Sequence, residues 1–136
     1  MLFSGDITIP AGTALNAPVR EHIELTKGLI SQIDVFFPPG NSCLAFITFN
    51  RSIHQIYPTN PDGYLKGDNV LITGPVFHHI RDHPTIVTVK GYSPDARFDH
   101  TVYFNIWMKL PWQMNPFSDE WYTLVLEDSV GQSPFT

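Results

Sequence analysis

The sequence holds a single cysteine, Cys43. An intrachain disulfide is therefore excluded, and at 136 residues the chain can rest on its own core. Cys43 stands in an apolar run, which predicts a buried, inert thiol. Basic residues are also few: eight Lys and Arg against thirteen Asp and Glu, a net charge of −5. They are scattered from Arg20 to Lys109, with no basic stripe to neutralise phosphates. Nucleic acid is thus not expected as a main ligand. No apolar run approaches the roughly 20 residues that span a bilayer, so no membrane partner is expected either. The first residues, Met1 to Asp6, do not read as a signal peptide. Without such routing the sequon Asn50-Arg51-Ser52 carries little weight.

Catalytic signatures are missing too. There is no Gly-x-Ser-x-Gly elbow and no glycine-rich phosphate loop. A cupin-type metal site needs a His-x-His pair, and the chain has none. His22-Ile23-Glu24 offers two ligands on one strand face, which is too few. His78, His79 and His83 form the tightest histidine group. Neighbours on a strand point to opposite faces, whereas zinc wants three or four convergent ligands. A solvated histidine pair in a loop is the expectation there. Asn60, Asp62 and Asp68 could hold calcium, but their spacing is not that of an EF-hand. Turn chemistry accounts for them, with a positive φ expected at Gly63. The expectation is no catalytic site, no metal and no cofactor.

What the chain does have is alternation. From Thr101 to Leu110, Val102, Phe104, Ile106, Met108 and Leu110 fall on one parity. Thr101, Tyr103, Asn105, Trp107 and Lys109 fall on the other. That is a strand with one dry face and one mixed face. Phe104, Ile106, Val35 and Ile47 are expected in the core. Shorter alternating runs precede it. Residues 2–9 carry Ile7 and Ile9 in phase. Val19, Ile23 and Leu25 follow, then a break at Lys27-Gly28 that reads as a bulge, a bend or a boundary between two strands. Beyond it come Leu29, Ile33, Val35 and Phe37. Cys43 to Phe49 is apolar on both parities, as in a strand covered on both faces. Further strands are expected at Arg51 to Tyr57, from Val70 to a break at Gly74-Pro75, and at Thr85 to Tyr92. Twelve prolines and nine glycines punctuate these runs. The pattern is all-β, a sandwich or barrel in one domain.

After residue 110 the pattern changes. Residues 111–136 hold Trp112, Phe117, Trp121, Tyr122 and Phe135, with Pro111, Pro116 and Pro134 among them. Disordered tails avoid such aromatics, and ordinary strands avoid so many prolines. An extended arm that buries its aromatics on a ready-made surface fits both. Trp121 to Leu126 reads equally as a short helix or a short strand. Tyr103 and Trp107 share the outward face of their strand, and an exposed Trp there calls for a covering layer. The candidate interface residues are therefore Tyr103, Trp107, Trp112, Phe117, Trp121 and Tyr122.

One set of strand and turn residues has a wider likeness. It comprises Leu25-Thr26-Lys27-Gly28-Leu29-Ile30, Phe36-Phe37-Pro38-Pro39-Gly40, and His54 to Tyr64 with Gly67-Asp68. This set, within residues 5–110, resembles small single jelly-roll structural proteins from virions of viruses and proviruses of prokaryotes. The resemblance implies a jelly-roll β-sandwich over residues 1–110 with a C-terminal extension over 111–136. It implies a capsid decoration (cement) or minor capsid component located in the virion. Its partners would be further copies of itself, a trimer being one form, and a major capsid protein or other virion protein. The acidic balance suits the outside of a shell. Two other readings stand beside it: a carbohydrate-binding β-sandwich module of a phage fibre or cell-surface protein, and a cupin-like metalloenzyme.

Overall fold

A computed structural model describes residues 1–60 and 62–110. These form eight strands and no helix. In chain order they are β1 (Leu2–Ile9), β2 (Val19–Glu24), β3 (Gly28–Phe37), β4 (Phe46–Arg51), β5 (His54–Tyr57), β6 (Val70–Ile80), β7 (Ile86–Tyr92) and β8 (His100–Lys109). They make a β-sandwich of two antiparallel four-stranded sheets, one in the order β1-β8-β3-β6 and the other β2-β7-β4-β5. Every connection except the β4–β5 hairpin crosses from one sheet to the other.

The alternation places the core. Ile7, Ile9, Ile33, Val35, Phe37, Val102, Phe104 and Ile106 come from the first sheet, and Ile47, Phe49, Val87 and Val89 from the second. All are buried, including the four residues expected from their phase. Phe49 and Phe104 meet edge to face between the sheets, with ring centroids 5.6 Å apart. Gly91 permits this closeness near β1: a Cβ there would sit 2.7 Å from Cγ1 of Ile9.

Several boundaries differ from expectation. The break at Lys27-Gly28 separates β2 and β3, which belong to different sheets. The register irregularity of β3 lies beyond it, between Ile30 and Gln32. Cys43 is exposed, not buried, because it stands outside β4 with Ser42 in a turn where both have positive φ. The strand itself starts at Phe46, and Ile47 to Asn50 are all buried, so the covering of both faces holds. Gly74-Pro75 does not end β6. That strand lies at a sheet edge, where one side has no neighbour and proline is tolerated. His78 and His79 accordingly sit on a strand rather than in a loop.

Gly63 lacks the expected positive φ. Its smallness matters instead, since a Cβ would lie 2.1 Å from the amide nitrogen of Asn60. The loop around it is organised by Gln55, whose Nε2 donates to the carbonyls of Pro58, Asn60 and Gly63. Asp68 Oδ1 accepts from the backbone N–H groups of Gly40 and Asn41, at 2.9 and 3.0 Å, which ties this loop to the β3–β4 turn.

Candidate interaction face

The outer face of the first sheet is built from the out-of-phase residues of its four strands. Strand register aligns them in rows. One row runs Leu2, Trp107, Gln32, Pro75. The next runs Ser4, Asn105, Asp34, Thr73. A third runs Asp6, Tyr103, Phe36, Leu71. A polar row thus lies between two rows rich in apolar groups. Leu2, Phe36, Leu71, Tyr103 and Trp107 are all exposed large hydrophobic residues, and so is Phe77 farther along β6. Leu71 is 59% exposed, Tyr103 48% and Trp107 40%. Large apolar groups gathered on one sheet face mark an interaction surface.

Asp34 fixes the middle of the face. Its Oδ2 accepts from the indole Nε1 of Trp107 at 2.7 Å. Its Oδ1 accepts from Gln32 Nε2 at 2.7 Å and from the hydroxyl of Thr73. Gln32 also donates to Thr73 Oγ1 at 3.1 Å. Burial alone would raise the Asp34 pKa; the bonds from Thr73, Gln32 and Trp107 outweigh it and hold the carboxyl below its ordinary 3.8. A carboxylate that accepts three side-chain donors locks the Trp107 ring in one orientation. The face is therefore preformed, which lowers the ordering cost of any contact made on it.

Tyr103 and Trp107 stand where alternation put them, exposed on this face. Trp112, Phe117, Trp121 and Tyr122 lie outside the described residues, as does the choice of helix or strand at Trp121 to Leu126. Sequence reading missed Leu2, Phe36, Leu71 and the Asp34 cluster. Phe36 did carry a signal, being apolar and out of phase beside inward Phe37. Leu71, beside Ile72, is the same case.

The other candidates do not converge. His78 and His79 take opposite parities on β6, and His22 bonds Thr88 through Nδ1 at 2.9 Å on the other sheet. Among the described residues no three His, Cys, Asp or Glu side chains group as a metal ion would need. Nor is any helix among them long and apolar enough to cross a membrane. His78 is half-buried, and its Nε2 has no hydrogen-bond partner among the described residues. Burial, with Arg51, His79 and His54 nearby, pushes its pKa below 6.5. A shallow cleft of about 240 Å³ adjoins the face, bordered by Tyr103, Pro38, Pro39, Asn41, Asp99 and Thr101. No protein-family model matches the chain, and no curated protein sequence matches it.

Proposed function

We propose that this chain is a virion structural protein, a capsid decoration or minor capsid component that acts by oligomeric assembly. The observation that carries the reading is the preformed outer face of the first sheet, with Leu2, Phe36, Leu71, Tyr103 and Trp107 exposed around the Asp34 cluster. A surface of this kind offers apolar area to a macromolecule. The strand order supports a jelly-roll winding, because the strands alternate between two four-stranded sheets and β1 ends beside β8. That agrees with the strand and turn resemblance to virion proteins of prokaryotic viruses. The partners on this reading are further copies of the chain and a shell protein.

Light scattering on the purified full-length protein tests it. A mass above the 15.4 kDa of one chain is expected, and Leu71→Asp should reduce it. A chain that stays monomeric at high concentration and does not co-sediment with virion shells would defeat the proposal.

A carbohydrate-binding module is the second reading, favoured by the cleft beside Tyr103. It offers one aromatic wall with Asn41, Asp99 and Thr101 as polar partners, a composition that suits a sugar ring. Retention on a polysaccharide column, lost in Tyr103→Ala, would favour this reading over assembly.

A further inference from the structure

We propose that β1 pairs edge to edge with β1 of a second copy of this chain, across a two-fold axis. The inference rests on the assembly reading and names a self-contact distinct from the apolar face. Among the described residues the two sheets have four edge strands, β1, β6, β2 and β5. An open strand edge is a template for another chain, and folds block such edges with charge, proline or shortness. Three of the four are blocked in these ways. β2 carries Arg20, Glu21, His22 and Glu24 within six residues. β6 is interrupted by Pro75, which has no N–H to offer. β5 is four residues long. β1 runs for eight residues with no proline and a single charged side chain, Asp6.

The register of β1 on β8 identifies its unused backbone groups. The Met1 nitrogen donates to the Met108 carbonyl at 2.9 Å, and the Met108 N–H donates to the Met1 carbonyl at 2.8 Å. In an antiparallel ladder such pairs alternate with pairs that exchange no bonds. Phe3, Gly5, Ile7 and Ile9 therefore turn their backbone groups toward β8. Those of Leu2, Ser4, Asp6 and Thr8 point to the open edge, where no described residue bonds them.

One antiparallel register engages all four. It sets Leu2 against Thr8, and Ser4 against Asp6, of the second copy, with the reverse pairs by symmetry, and makes about eight hydrogen bonds. The Asp6 carboxylate then lies beside a serine hydroxyl. Sliding the strands by two residues leaves one residue of each unpaired, and in one direction it also sets Asp6 against its own counterpart, which like charge disfavours. Gly5 meets Gly5 at the axis, so no side chains collide there. The half-buried Phe3 comes opposite Ile7 of the second copy on the inner face. This mutual fit favours a second copy over an unrelated strand. The row of Trp107 and Leu2 continues into Thr8 and Thr101 of the second copy, and the two first sheets become one.

Amide hydrogen exchange on the full-length chain tests the pairing, with mass read by analytical ultracentrifugation. The native chain is expected to associate, and its Ser4, Asp6 and Thr8 amides to exchange more slowly as concentration rises. Leu71→Asp, on the opposite edge strand of the sheet, should keep that protection. Ser4→Pro removes an outward N–H and leaves the bonds to β8 in place. It should keep its β structure by circular dichroism, yet lose the protection at Asp6 and Thr8 and sediment at lower mass than the native chain. If Ser4→Pro unfolds, Ser4→Asp replaces it, with the same loss expected, since it opposes Asp6 of the second copy twice in each pair. Protection kept in the folded Ser4 variant overturns the pairing. Protection lost in Leu71→Asp assigns it to the apolar face and overturns the pairing as well. A native chain that associates while these amides exchange at one rate at every concentration also overturns it, yet leaves the assembly reading in place. A native chain that is itself monomeric removes both.

Discussion

Phe104 packs in the core between the two sheets. Its ring meets Phe49 across the sandwich, and β1 approaches it through Gly5, where a Cβ would be 3.0 Å away. Phe104→Ala should cost about 3–5 kcal/mol in a denaturant titration. Asp34 makes a different kind of contribution. Its folded pKa lies below 3.8, so its stabilisation is complete above that value and fades as pH falls through the folded pKa. His78 titrates higher. Its folded pKa lies below 6.5, so the neutral ring is favoured, and stability present above 6.5 is lost on acidification through the lower folded value. Thermal melts against pH should therefore show two falls, one below pH 6.5 and one below 3.8. His78→Gln should remove the upper fall and Asp34→Asn the lower. Unchanged profiles in both variants would show that other groups govern acid unfolding.

Among the elements, β8 was the most legible, because four inward apolar residues, Val102, Phe104, Ile106 and Met108, alternate without a break, although the strand ends at Lys109, one residue short of Leu110. β1 and β7 followed the same rule. β6 was harder to read, since Gly74-Pro75 looks like a stop and is tolerated only because the strand lies at an edge. That position is set by pairings distant in sequence, and local pattern does not record them. Cys43 misled for a related reason: an apolar run can begin in the turn that leads into a strand. Of the five apolar residues grouped on the candidate face, two were legible, Tyr103 and Trp107. The Asp34 cluster was not, because Asp34, Gln32, Thr73 and Trp107 meet only through β3–β6 and β3–β8 register. The loop after β5 carries its own prediction. Gly63→Ala should destabilise the loop by crowding the Asn60 side chain, although the backbone φ there is not left-handed. Proteolysis within residues 58–69 should quicken in that variant. Cleavage at the native rate would show that Asn60 moves aside freely.

At the scale of the whole molecule, association through two apolar rows should survive salt. Raising ionic strength screens contacts between charges but leaves apolar contact in place. The oligomer is expected to persist near 1 M NaCl with modestly weaker affinity, and complete dissociation there would point to a contact made by charge alone. The pairing of β1 with β8 has a further consequence, for the order of events on the ribosome. Leu2 faces Trp107 and Ile9 faces His100, so the first of the described strands has its ladder partner in the last of them. While the intervening strands emerge, Ile7 and Ile9 lack the neighbour that completes their sheet. Non-local closure of this kind is slow. The first sheet should reach its final form only after residue 109 has left the exit tunnel, and a nascent chain stalled before residue 100 should expose β1 to protease even though β2 to β7 are already made.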